Sequence, residues 1–150
     1  MMQNFLLFRV GERIFGVKLE GAVEIVPWQR PRRVPLSYSY VDGIRDYRGA
    51  IYPIFDLVRL LGLSRSGPIG FTAAADGEAG RGDSSIILLR EADRPMGITV
   101  DAVVKMSRLD DAPDEKINVK GVDAQFVKGV RYDEDQEIIL LSFERLYYAG

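Results

Sequence analysis

Arg13-Ile14-Phe15-Gly16-Val17-Lys18-Leu19-Glu20 is echoed by Arg94-Pro95-Met96-Gly97-Ile98-Thr99-Val100-Asp101, and this recurrence governs the reading of the whole chain. Two further pairs follow in the same order. Val41-Asp42-Gly43-Ile44-Arg45 returns as Val127-Lys128-Gly129-Val130-Arg131, and Asp56-Leu57-Val58-Arg59-Leu60 as Ser142-Phe143-Glu144-Arg145-Leu146. Gly43 stands 13 residues before Asp56, and Gly129 stands 13 residues before Ser142. Spacing shared across separate blocks implies two similar β units. Such units leave little room for a catalytic pocket and expose several surfaces to partners.

Composition narrows the chemistry further. At 150 residues the chain is one ordinary domain or two very small ones sharing a core. Halves of roughly 60–75 residues are marginal alone, so they are expected to pack together. A net charge of −2 supplies no general attraction to nucleic acid or to an anionic membrane. No apolar run approaches the roughly 20 residues that span a bilayer. Phe5-Leu6-Leu7-Phe8 near the start lacks a basic flank and a cleavage site, so it reads as a strand rather than a signal peptide, and the expected location is the cytoplasm. There is no cysteine and no histidine. Disulfide frameworks, thiolate or imidazole metal sites, Ser-His-Asp and Cys-His nucleophiles and histidine proton shuttles are thereby excluded.

Along the chain, residues 5–10 are apolar on both faces, while Phe15, Val17 and Leu19 alternate with Gly16 and Lys18 as in a half-buried strand. Strands are expected again at 23–26, 44–47 and 50–55. Pro53 has no N–H to donate, which places the last of these at an edge or a bulge. Asp56 is a good N-cap for a short helix over 57–61, with Gly62 as its stop. Residues 64–85 are rich in glycine, alanine and serine and read as a mobile connecting loop. Beyond it, 86–90 reads as a buried strand. Ile98, Val100, Ala102, Val104 and Met106 alternate with Thr99, Asp101 and Lys105 as one long strand. A hairpin is expected over 126–141 around Asp133-Glu134-Asp135, then a short helix over 143–148 capped by Ser142. About ten short strands in two groups, with little helix, fit an all-β fold of paired small barrels.

If the halves share a fold, residues found in only one of them are the better functional candidates. Glu134 stands opposite Arg48, and Ile139 opposite Pro53. The first half therefore has a proline-stiffened Arg-Gly turn where the second has an acidic one.

Here the chain resembles the CheW-like family of chemotaxis adaptors. The resemblance rests on Tyr47-Arg48-Gly49-Ala50-Ile51-Tyr52-Pro53-Ile54-Phe55-Asp56-Leu57, on Gly16 with Val23-Glu24-Ile25, on Gly97 to Asp101 and on Val127-Lys128-Gly129-Val130. It implies two intertwined five-stranded SH3-like barrels: 1–63 as the first, 64–85 as a flexible loop and 86–150 as the second, with strand exchange between them possible. It also implies no catalytic activity and no cofactor. The implied partners are the cytoplasmic tip of a chemoreceptor (a methyl-accepting protein) and the regulatory domain of a CheA-like histidine kinase, with recruitment to membrane-associated arrays but no membrane insertion and no nucleic acid. By position the partner-binding residues fall on Ala22, Glu24, Gly43, Arg48 and Gly49. Asp46-Tyr47 stands where the family has asparagine-leucine, and Ser142 where it has a second aspartate.

Other candidates have plainer readings. Arg48 could contact a partner or simply pair with Glu24. Asp110, Asp111, Asp114 and Glu115 lack the alternating ligands and central glycine of a calcium loop and read as a solvated face. Arg30, Arg32 and Arg33 suit solvent or an acidic partner. Trp28 could anchor an interface or cover a barrel mouth. Two alternatives stay open: an adaptor for a non-chemotactic kinase pathway, such as surface motility, and a small carboxylate-dependent hydrolase. The hydrolase would need two acids roughly 5–10 Å apart in a cleft.

Overall fold

The computed structural model describes residues 1–35, 37–63, 83–117 and 119–146. Ten strands account for most of them. In chain order they are β1 (Met2–Val10), β2 (Arg13–Lys18), β3 (Ala22–Pro27), β4 (Val41–Tyr47), β5 (Ala50–Asp56), β6 (Ser85–Glu91), β7 (Arg94–Val100), β8 (Ala102–Asp110), β9 (Val127–Asp133) and β10 (Gln136–Leu141). One short helix, α1 (Leu57–Leu60), follows β5.

The strands form two five-stranded sheets, ordered β8-β1-β2-β10-β9 and β3-β6-β7-β5-β4. Exchanging β1 to β5 for β6 to β10 converts one order into the other. The symmetry extends to register: β10 runs parallel to β2 with Leu140 beside Gly16, and β5 runs parallel to β7 with Ile54 beside Gly97. It extends to irregularities as well, since both β4–β5 and β9–β10 carry a bulge just before the recurring glycine.

Each sheet takes strands from both halves of the sequence. Residues 1–63 supply two strands of the first sheet and three of the second, so a cut in the connecting loop does not separate the sheets. The crossing points are the 3-10 turn Leu19–Gly21 between β2 and β3, and Asp101 between β7 and β8. Asp101 is tied down there, because the Gly11 N–H donates to its Oδ2 at 2.7 Å and its own N–H donates to the Arg9 carbonyl. The single long strand expected over 98–106 is therefore two strands in different sheets. Beyond the break the apolar alternation no longer faces a core: Val104 is 49% and Met106 63% exposed. β8 is an edge strand, as is β3, whose equivalent Val23 and Ile25 are also exposed.

Three apolar clusters explain the two-faced strands. A large core between the sheets takes Leu6, Phe8, Phe15, Phe55, Ile87 and Ile98 among others. A smaller core inside the first sheet holds Phe5, Leu7, Leu109, Ile138 and Leu140. Its counterpart in the second holds Val26, Tyr52, Ile54, Ile86 and Leu88. Successive residues of β1 and β6 point alternately into the large core and a small one, as period-two geometry requires. The recurring glycines sit against the small cores. A Cβ on Gly16 would meet Leu7 and Leu140 methyls at 3.1 and 3.2 Å, and one on Gly97 would meet Ile54 Cδ1 at 2.5 Å.

Pro53 lies in an interior strand rather than at an edge, and the β4–β5 bulge falls elsewhere. It is accommodated because the β7 ladder begins only at Ile54, so at Pro53 β5 is paired on its β4 side alone. Asp56 does cap α1, its Oδ1 accepting from the Val58 N–H at 3.0 Å. After β10 the expected helix is a single turn among the described residues, closed by Leu146 N–H to the Phe143 carbonyl at 3.0 Å. The Ser142 Oγ accepts from the Glu144 N–H at 3.5 Å. The rest of that helix, and the connecting loop from 64 to 82, lie outside the described residues.

Candidate functional site

Glu24 and the Arg48-Gly49 turn belong to opposite edges of the second sheet, Glu24 on β3 and the turn at the tip of β4–β5. No backbone ladder joins those edges; side chains do. The Tyr47 hydroxyl donates to Glu24 Oε2 at 3.1 Å, and Arg45 Nη1 donates to the Pro27 carbonyl at 3.3 Å. The sheet thus curls until its edges meet along a polar seam, a barrel closed by side chains.

Three of the five sequence-named residues, Glu24, Arg48 and Gly49, are exposed at this seam. Ala22, at the start of β3, is half-buried and packs on the large core. Gly43 is buried. Its φ is +152°, and a Cβ there would overlap the Arg32 carbonyl oxygen and touch Pro31. The Arg32 and Ile44 backbones exchange hydrogen bonds of 2.9 and 2.8 Å directly over it. Gly43 therefore permits the 31–32 segment to lie against β4 and offers no surface of its own.

Of the two readings of Arg48, the direct pair with Glu24 is not made among the described residues. Tyr47 stands between them. The Arg48 guanidinium carbon lies 5.3 Å from the Tyr47 ring centroid, a cation–π arrangement worth about 0.5–1 kcal/mol at an exposed site. Glu24 Oε1 accepts from the Ile25 N–H at 3.2 Å while Oε2 takes the Tyr47 hydroxyl. Burial, and then the hydrogen bond to Glu24, push the Tyr47 phenol above its ordinary pKa, with Arg48 opposing. Tyr47 is not among the sequence-named residues, and its signal was its departure from the family's leucine.

The turn itself is not what distinguishes the halves. Arg48 and Gly49 have φ of 49° and 81°, and Glu134 and Asp135 have 49° and 69°. Both are two-residue turns of the left-handed kind that match strand twist. What differs is the chemistry of the seam. At the equivalent place in the first sheet, Lys105 Nζ meets Asp133 Oδ2 at 2.7 Å, and Arg131 Nε donates to the Asp110 carbonyl at 3.1 Å. One seam is closed by an ion pair, the other by a tyrosine.

Beside the second sheet, a cleft of about 230 Å³ is lined by Trp28, Arg30, Arg33, Asp42, Asp56 and Arg59. Trp28 is half-buried and packs on the small core of that sheet. Two carboxylates share the cleft, but Asp56 is committed to α1 and lies 3.6 Å from Arg59 Nε. The same cleft is lined by three arginines, Arg30, Arg33 and Arg59. Of the 110–115 acids, Asp114 serves the fold, accepting from the Val130 N–H at 2.9 Å and from Arg131 Nη1 at 2.8 Å. Among the described residues no group of three acids could hold a metal ion, and no helix is long and apolar enough to cross a membrane.

Two exchanged five-stranded sheets related by an internal two-fold, with charged groups exposed along their edges, define a small all-β module built from a duplicated unit. The profile of the CheW-like domain matches residues 4–149, and the chain belongs to that family. It is 25% identical over 146 residues to the chemotaxis protein CheW of Treponema pallidum, covering 96% of this chain and 81% of that protein. Protein FrzA of Myxococcus xanthus is 35% identical over 68 residues, 44% of this chain and 42% of FrzA. Among solved structures, the scaffolding protein TtCheW from Thermoanaerobacter tengcongensis superposes with a TM-score of 0.76 at 25% identity, covering 95% of this chain and 87% of that one.

Proposed function

We propose that this chain is a non-catalytic cytoplasmic scaffold of a chemotaxis-type signalling array, coupling the cytoplasmic tip of a chemoreceptor to the regulatory domain of a CheA-like histidine kinase. The observation that carries this reading, in a CheW-like chain, is the exposed seam where Glu24 and Arg48, from opposite edges of the second sheet, are brought together around Tyr47. Arg48 projects from a turn tip, so its guanidinium fork is open to a carboxylate from outside. Its value lies in orientation and recognition, since exposed charge pairs add only ~0–1 kcal/mol to stability.

Arg48→Glu tests the reading cleanly. The equivalent turn already holds Glu134 at the same φ of 49°, so the backbone accepts this residue. The expected result is at least tenfold weaker binding to a purified receptor cytoplasmic fragment, with a melting temperature close to that of the parent. Undiminished capture of the receptor fragment by the Arg48→Glu protein would remove the seam from the interface.

A further inference from the structure

The internal two-fold provides a built-in comparison between the two seams. In the first sheet Lys105 and Asp133 lie 2.7 Å apart and neutralise each other. In the second sheet the corresponding residues are Glu24 and Tyr47, whose contact consumes no positive charge. Next to them, Arg48 lies over the Tyr47 ring and forms no ion pair among the described residues. Tyr47 is itself fixed: its ring meets buried Tyr52 edge to face, with centroids 6.1 Å apart and planes at 81°, and it packs on the small core. One side chain thus governs an anion through its hydroxyl and a cation through its ring.

We propose that Tyr47 is the positioning residue of the seam, holding the Glu24 carboxylate and the Arg48 guanidinium apart so that both charges are presented to a partner. This rests on the seam being the receptor-facing site. A direct Glu24–Arg48 bridge would satisfy both groups internally and leave a partner little to gain. With Tyr47 interposed, Arg48 keeps its donors for a carboxylate, and Glu24 keeps lone pairs for a cation or N–H donor. The surface that fits is an acid and a base side by side on one rigid element. Immobilising a long arginine on an aromatic face also reduces the rotamer freedom lost on binding. The seam of the first sheet, already neutralised by Lys105 and Asp133, offers no such pair. The proposal therefore assigns opposite-charge recognition to one end of a symmetric molecule.

Tyr47→Phe removes the hydroxyl and keeps the ring; Tyr47→Leu removes both. Against the receptor cytoplasmic fragment, the expected losses are about three- to tenfold for Tyr47→Phe and more than tenfold for Tyr47→Leu. In a Glu24→Ala background Tyr47→Phe should have little further effect, whereas Tyr47→Leu should still weaken binding through Arg48. A purely structural role would lower the melting temperature without this selective coupling. In the free protein, ring currents should shift the Arg48 Hδ resonances upfield in the parent and in Tyr47→Phe, and the shift should vanish in Tyr47→Leu. Arg48 resonances indifferent to the ring would overturn the proposal without reference to any partner. If Arg48→Glu abolishes binding but Tyr47→Leu binds as the parent does, Tyr47 is not the positioning residue and the scaffold reading stands. If Arg48→Glu binds normally, the receptor assignment of the seam fails, and with it the role proposed for Tyr47.

Discussion

Gly97→Ala puts the reason for the sequence duplication to the test. The added Cβ would lie 2.5 Å from Ile54 Cδ1 and 3.2 Å from methyls of Ile86 and Leu88. All three side chains are fully buried in the small core of the second sheet, so the overlap must be relieved inside a packed space. Overpacking of this kind costs about 1–3 kcal/mol. Against it stands a gain of roughly 0.4–1 kcal/mol from a stiffer unfolded chain. The net expectation is a loss of about 1–2 kcal/mol, read as a lower urea midpoint at unchanged slope. Ile54→Val removes the offending Cδ1. Alone it should cost about 0.5–1.5 kcal/mol, but with Gly97→Ala the new methyl fills the vacated space, so the pair should fall short of additivity by about 1 kcal/mol. Gly16→Ala is the control: its nearest neighbours are at 3.1 and 3.2 Å, so it should destabilise less. A Gly97→Ala midpoint equal to the parent's, or strict additivity with Ile54→Val, would refute the close-approach explanation of both glycines.

Gly43→Ala meets backbone rather than a side-chain tip, so the 31–32 segment must lift from β4. A loss of about 2 kcal/mol or more is expected, with hydrogen-exchange protection lost at the Ile44 amide while the amides of β6 and β7 stay protected. Asp56→Ala should cost ~0.5–2 kcal/mol by uncapping α1, and Asp56→Asn should recover most of it in thermal melts. The Val130 N–H, and then Arg131, hold the Asp114 carboxyl below the usual carboxylate range against an opposing effect of burial. A depressed folded pKa contributes stability above the unfolded value near ~3.9 and loses it as pH falls through the folded one. Asp114→Asn should therefore flatten the acid limb of the stability profile, and an unchanged limb would mean the contact is not made in solution.

Locally encoded features were legible in the sequence. The two-faced β1 and β6, the turn at Asp133-Glu134-Asp135 and the Asp56 cap follow from patterns only a few residues long. What could not be read depends on contacts distant in sequence. The apolar alternation runs unbroken through Asp101, so nothing local announces that the chain changes sheets there and leaves Val104 and Met106 exposed. A duplicated pattern suits contiguous or exchanged units equally, because each strand has the same neighbours in kind either way. Nothing local announces that Gly43 is buried, because the 31–32 segment pressing on it lies a loop away. The role of Tyr47 exists only because β3 and β4 meet at the seam.

The exchange of strands has a kinetic consequence. β1 pairs with β8, and β2 needs β10 beside it before the first sheet is whole. While the chain is being made from its N-terminus, the first sheet must wait for β8 to β10, whereas the second needs nothing beyond β7. Such long-range pairings also slow folding by deferring contact energy until large loops have closed. The interval in which the β1–β2 pair has neither β8 nor β10 beside it is when its two open edges are most exposed to aggregation.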